Sequence, residues 1–214
     1  MSLISTDAEA SRLPASIASH KRISLQSYPV IAAWHLELRP FSLADIPWFV
    51  KVATIDRFAI TTLTVPRSFD ARSARRWIKS HPLQWQRRRA VHWVIMSLED
   101  DDHCGYVGLH DIQIAKRRAE LRFWTAERIG RFHLILEAAQ AAVAFAFTCL
   151  QVENVMAYPL DNKPQLPRVL RQFGMQRDMG TPEPGHRRGQ GNAVLPWSVS
   201  RSHWAASLQG MVIN

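Results

Sequence analysis

The stretch that decides the fold is AELRFWT at residues 119–125, the turn after it, then FHLILEAAQAAVAFAFTCL at 132–150 and VENVMAY at 152–158. The first and last segments read as strands. The middle one is apolar nearly all round, interrupted by Glu137, Gln140 and Thr148, so it reads as a helix sandwiched against a sheet rather than a membrane span. A strand, helix, strand unit of this kind crosses over right-handedly, which makes its two strands parallel.

Working outward, residues 90–97, 105–112 and 119–125 form three strands joined by short connections, one of them the acidic turn Glu99 to Asp102, which predicts an antiparallel meander. Upstream, Leu36 and Leu38 alternate with Glu37 and Arg39 as in a half-buried strand, and Pro40 stops the ladder. Ser42 and Asp45 then form an approximate capping box before Leu43, Ile46, Phe49, Val50 and Ala53, predicting a helix to about Thr54. Residues 67–89 carry a second helical region, whose Trp77, Ile78 and Trp85 cover the sheet and which Pro82 is expected to break or bend. Downstream come a helix over 163–173, strands over 174–179 and 194–200, and between them a Gly- and Pro-rich run, 180–191, expected to be a mobile loop. The pattern defines an α/β chain whose mixed, mostly antiparallel sheet has helices on both faces.

With 214 residues the chain needs one core. Residues 1–34 lack periodicity and contain Pro14 and Pro29, so they read as a loosely ordered extension before a domain over 35–205 and a tail over 206–214. Asp7, Glu9 and the missing apolar core segment argue against a targeting peptide. Cys104 and Cys149 lack metal-ligand spacing, which points to a reducing, cytoplasmic setting. Lys and Arg outnumber Asp and Glu by 27 to 18, and the surplus concentrates at Arg67, Arg72, Arg75, Arg76, Lys79 and Arg87 to Arg89. A nucleic acid or ribosomal surface would suit such a cluster. A solvated helix face is the plainer reading, because no aromatic-basic motif accompanies it.

Seven blocks in order carry a family resemblance. They are Leu36 to Pro40 with Ser42 to Asp45, Gly105 to Leu109, Ala119 to Trp124, Glu137-Ala138 with Ala144 to Phe147, Asp161 to Pro164, Val169 to Met175, and Trp197 to Trp204. Together they resemble the GNAT superfamily of N-acetyltransferases, most closely its ribosomal-protein-alanine (RimJ/RimL-type) branch. The resemblance implies the GNAT fold and transfer of an acetyl group from acetyl-CoA to a primary amine, of a protein N-terminus or a small molecule, by direct attack. A second reading is a GNAT-fold protein impaired in catalysis that binds CoA weakly, or an anionic partner through its Arg-rich helix.

The resemblance also implies site residues. Backbone groups of Phe123, Trp124 and Thr125 are expected to hold the pantetheine arm, because in these folds this strand and the next splay apart. The pyrophosphate is expected at the N-terminus of the long helix, where free N–H groups and the helix dipole favour an anion, with Arg128, Gly130, Arg131, Phe132 and His133 around it. When Glu137-Ala138 is aligned on the family's Glu-Ala, His133 and Ile135 fall where small residues normally admit the phosphates, so both are expected to crowd it. Asn162 matches an Asn that contacts the cofactor arm; it would equally serve as a helix cap. Glu120 is the candidate acceptor of the amine proton, or else the partner of Arg117, Arg118 or Arg122. Gln165 and Val169 supply no proton donor for the leaving thiolate, which leaves the Tyr158 hydroxyl as a substitute. Glu137 reads as a structural acid. His92, His103 and His110 show no paired metal-ligand spacing and read as core or surface histidines. Trp77, Trp85 and Trp93 read as core.

Overall fold

A computed structural model describes residues 27–53, 70–125, 132–158, 166–172, 174–178 and 196–210. In chain order the strands are β1 (Ile31–Ala32), β2 (Leu36–Pro40), β3 (Val91–Ser97), β4 (His103–Gln113), β5 (Arg118–Thr125), β6 (Asn154–Ala157), β7 (Gln176–Arg177) and β8 (Trp197–Ser200). The helices are α1 (Ile46–Ala53), α2 (Ala71–Gln86), α3 (Phe132–Thr148), α4 (Leu166–Gln172) and α5 (Arg201–Gly210). All eight strands share one sheet in the order β1-β2-β3-β4-β5-β6-β8-β7. Every neighbouring pair is antiparallel except β5 with β6, which is parallel as the crossover requires.

The central strands are buried on both faces, so β3 is enclosed along its whole length. One face presents Val91, Trp93, Ile95, Val107, Leu109 and Leu121 to the alanine-rich α3. The other presents Val94, Met96, Tyr106 and Trp124 to Phe49 of α1 and Ile78 of α2. Trp204 of α5 packs on Phe147 at 5.4 Å, which gives α3 its outer cover. Pro82 does not break α2, which continues to Gln86. Proline forfeits one helical hydrogen bond there, but the buried Ile78 and Trp85 on either side hold the helix to the sheet.

Two boundaries differ from the sequence reading. The fold begins before residue 35: β1 pairs with β2, and the indole N–H groups of Trp85 and Trp93 donate to the carbonyls of Ser27 and Pro29 at 2.9 and 2.8 Å. A two-residue strand shows no periodicity, and what these residues supply is backbone acceptors for buried indoles, which no side-chain pattern reveals. At the other end, residue 205 lies inside α5 rather than at a domain edge. The Arg201 guanidinium anchors that helix on the Val152 carbonyl at 2.9 and 3.2 Å.

The capping box is present, and Asp45 does more than cap. Its carboxylate is 2% exposed and accepts two hydrogen bonds from Arg39 at 2.8 and 2.9 Å, one from His103 Nε2 at 2.9 Å and one from the Ser42 N–H at 2.7 Å. Burial alone would raise its pKa; the Arg39, His103 and Ser42 bonds outweigh that and hold it well below the usual carboxylate range. Its stabilisation is therefore present above the unfolded carboxyl value of about 4 and is lost as pH falls below it. Asp45→Asn is expected to cost about 3 kcal/mol in urea unfolding at pH 7, because the Arg39 guanidinium loses its buried counter-charge. The variant should also lose less stability than the parent between pH 7 and pH 3, and an equal loss would contradict this assignment.

Candidate active site

The strands β5 and β6 pair over three positions, Arg118 with Asn154, Ala119 with Val155 and Glu120 with Met156. Beyond Glu120 β5 stays in register with β4 as far as Gly105 opposite Thr125. The two parallel strands thus part company in mid-sheet. The last pair is Glu120 with Met156, and there Glu120 lines one small, open cleft with Asp111, Arg118, Ala119, Met156 and Tyr158.

Glu120, Arg122 and Trp124 alternate onto the sheet face covered by α1 and α2. Arg122 grips Glu120 with both forks, Nε to Oε1 at 2.6 Å and a terminal nitrogen to Oε2 at 2.8 Å. The carboxylate is 4% exposed. Burial opposes the Arg122 charge, but the bonds and charge of Glu120 overcome it and raise the guanidinium pKa. The alternative of an arginine partner for Glu120 is thus realised by Arg122. The Tyr158 hydroxyl is half-buried and lies 4.0 Å from Met156 Sδ.

Across β4 and β3 the same face carries a buried polar layer whose proton positions follow from its partners. Gln84 Nε2 donates to Ser80 Oγ at 2.7 Å, which leaves Gln84 Oε1 to accept from His92 Nε2 at 3.0 Å. His92 Nδ1 then accepts from the Tyr106 hydroxyl at 3.1 Å, and the Tyr106 oxygen accepts from His110 Nε2. His81 stacks on His92 at 4.0 Å, and neither of its ring nitrogens has a partner among the described residues. Burial drives all three imidazoles toward the neutral form, His92 down to about 3 and His81 and His110 far below the ordinary range. Gly108 lets this layer close. A side chain there would strike the Tyr106 hydroxyl and sit 2.8 Å from the Val91 carbonyl. The period-two run Tyr106, Gly108, His110 was the available signal, though nothing in the sequence places His92 and His81 against it.

Of the cofactor residues named from sequence, Phe123, Trp124 and Thr125 occupy β5 beyond the end of its β6 pairing. Phe132 and His133 open the 17-residue α3, and His133 is exposed. That first turn contains no acid, so its N–H groups and dipole suit a pyrophosphate. The donor set therefore fits coenzyme A. Ile135 is 2% exposed and belongs to the core between α3 and the sheet. Arg128, Gly130, Arg131, Asn162 and Gln165 lie outside the described residues, as does the run 180–191. Val169 is buried in the core. Glu137 ties α3 to the start of β2, accepting at 2.9 Å from both the His35 N–H and His35 Nδ1. His103 serves Asp45, while Trp85 and Trp93 are core residues. Among the described residues no cluster of His, Cys, Asp or Glu is arranged to hold a metal, and no helix is long and apolar enough to cross a membrane.

A mixed sheet that splits beside the N-terminus of a crossover helix is the architecture of acyl-CoA transferases. Residues 35–176 match the family model described as Acetyltransferase (GNAT) domain, and the chain belongs to that family. Its class is that of acetyl-CoA-dependent N-acetyltransferases, with acetyl-CoA as acyl donor. No curated protein matches the sequence. Among solved structures, Mycobacterium smegmatis RimJ in complex with CoA-disulfide superposes with a TM-score of 0.72 at 13% identity, over 88% of this chain and 95% of that one. Spermidine N-acetyltransferase from Vibrio cholerae, in complex with CoA and spermine, gives 0.67 at 13% identity over 80% and 98%. RimL, a ribosomal L7/L12 alpha-N-protein acetyltransferase in complex with coenzyme A, gives 0.69 at 13% identity over 80% and 98%. At such identities these likenesses show the fold.

The neutral histidines make stability pH-dependent. Each is neutral when folded and takes a proton near pH 6.5 when unfolded, so the unfolded chain binds more protons below that value. Stability is therefore present above about pH 6.5 and lost as pH falls, by about 2 kcal/mol per buried imidazole at pH 5. His81→Phe keeps the ring stacking and removes two unpartnered nitrogens, so it should leave stability at pH 7 unchanged or about 1 kcal/mol higher. Its loss between pH 7 and pH 5 should be correspondingly smaller. A parallel pH profile for parent and variant in urea unfolding would refute the assignment.

Proposed function

We propose that the protein transfers the acetyl group of acetyl-CoA to a primary amine, of a protein N-terminus or a small molecule, by direct attack without a covalent enzyme intermediate. The observation that carries this reading is the cleft where β5 leaves β6, lined by Glu120, which with Met156 forms the last β5–β6 pair, and by Tyr158, two residues past Met156. Bound acetyl-CoA supplies an activated acetyl thioester. The backbone of Phe123, Trp124 and Thr125, which β6 leaves unpaired, would hold the pantetheine arm, a role the resemblance also gives to Asn162. The N–H groups of α3 at Phe132 and His133 would hold the pyrophosphate, a role the resemblance also gives to Arg128, Gly130 and Arg131. Glu120 receives the amine proton, directly or through one water. Arg122 orients both carboxylate oxygens, so the incoming amine displaces one Arg122 hydrogen bond. Tyr158, whose hydroxyl is the only one among the cleft residues, holds the proton that the departing sulfur needs.

Calorimetric titration of acetyl-CoA into the purified protein, with coenzyme A as comparison, tests the reading. Binding in the micromolar range is expected. No heat at high micromolar cofactor would sink it in favour of a GNAT-fold protein that has lost transfer. His133→Gly should tighten binding if the imidazole crowds the phosphates. With a peptide N-terminus or spermidine as acceptor, Glu120→Gln should lower turnover about 100-fold and leave acetyl-CoA affinity within twofold. Unchanged turnover would remove Glu120 from its role.

A further inference from the structure

Residues 67–89 carry eight Lys and Arg against one acid, Asp70, a net of +7 in a chain whose whole net charge is +9. The remaining 191 residues are close to neutral. A general preference for arginine would spread the surplus; here one segment holds nearly all of it. In the structure α2 sorts that charge onto one side. Arg72, Arg75, Arg76 and Lys79 follow at three- and four-residue steps on a shared face and are all exposed, while Ala74, Ile78, His81 and Trp85 are buried on the opposite face. Arg87 at the C-cap and Arg89 continue the exposed row. From Arg72 to Arg87 it runs about 22 Å at the helical rise.

This placement works against the helix. The first turns of a helix favour acids, because the macrodipole is positive there, yet the first turn of α2 contains none. Asp70 is committed to capping the Ser73 N–H at 2.7 Å. Arg72 stands in that first turn against the dipole, and Arg72, Arg75, Arg76 and Lys79 repel one another as neighbours on the helix surface. A merely solvated face would mix signs. The geometry points to a polyanion that offsets this repulsion, and we infer that the outer face of α2 docks the backbone of double-stranded RNA.

Three features favour a duplex over other polyanions. The row is straight and made mostly of guanidinium forks, which match phosphate oxygens. It offers no exposed aromatic residue on which unpaired bases could stack, as single-strand readers do, whereas duplex RNA is recognised by shape and backbone. Its one large exposed apolar residue is Leu83, so it lacks the buried aromatic anchor of a protein interface. The face is also well placed. Trp77 and His81 of α2 pack on His92 and Tyr106, so α2 covers the same side of the sheet as Glu120 and Arg122. A docked RNA-protein particle would flank the side from which an amine reaches the cleft. That use rests on the transfer reading; the docking itself does not.

The test is fluorescence anisotropy of a labelled 20-base-pair RNA duplex with the full-length protein, without acetyl-CoA, at several salt concentrations. About four phosphate contacts predict a slope of log affinity against log salt near −3.6, or roughly a 100-fold loss between 50 and 200 mM. Arg75→Gln with Arg76→Gln should reduce the slope by about two and weaken binding at least tenfold at 100 mM salt. The matched control Arg168→Gln with Arg177→Gln, also exposed, should change it little. Equal loss in both doubles would reduce the effect to net charge and overturn the proposal. Displacement of the duplex by polyglutamate at equal charge would assign the face to an acidic protein instead, and an absent salt slope would end the docking idea outright. Calorimetry with acetyl-CoA on the same double variant separates the two readings. Intact cofactor binding with lost RNA binding is expected, and RNA binding retained by the double variant would overturn the proposal.

Discussion

The parallel ladder between β5 and β6 is three residue pairs long, and the functional geometry depends on where it stops. Were it longer, β6 would occupy the edge of β5 at Phe123 to Thr125, and a linear ligand would have no place in the sheet. Were it absent, α3 would lose the strand that returns from the crossover and fixes where its N-terminus points. The ladder can be so short because both flanks are secured otherwise. On one side β4 stays paired with β5 to its end, and on the other β8 closes against the whole of β6.

The two faces of the sheet are built from different materials. The α3 face is dry and close-packed, with alanines that let the helix lie near the strands. The α1 and α2 face combines stacked aromatics with a buried polar layer. Trp48 lies between His103 and Trp124, at 4.4 and 5.6 Å, and Trp124 continues onto Tyr106 at 5.9 Å. These rings link the Asp45 node at one end of the face to the histidine layer at the other. Glu120 and Arg122 belong to this second face. Their pair sits opposite Gly108 and His110, so the candidate chemistry borders a layer whose proton positions are fixed by hydrogen bonding.

Much of the fold was legible in the sequence, because long elements carry strong periodicity. The meander, the capping box at Ser42 and Asp45 and the all-apolar α3 all follow from residue spacing. What escaped was short or carried by the backbone: β1, the carbonyls of Ser27 and Pro29, and the hydrophilic α5. The candidate site divided the same way. Glu120 and a choice of arginine partners could be read from adjacency, whereas the choice of Arg122 depends on strand alternation. Alignment to a motif gives position but not facing, and the Ile135 side chain turns into the core. The joining of His81, His92, Tyr106 and His110 needs contacts between a helix and two strands, which no local pattern encodes.

The stretch that matches the GNAT family ends at residue 176, yet β8, made of residues 197–200, lies between β6 and β7 in the sheet. The last strand among the described residues is thus an interior one, and without it β6 keeps an open edge next to the cleft. Until the chain emerges that far, the molecule has the Glu120 carboxylate but no closed sheet to hold it. The family boundary marks where sequence is shared; the folding unit reaches from the carbonyls before β1 to the helix after β8.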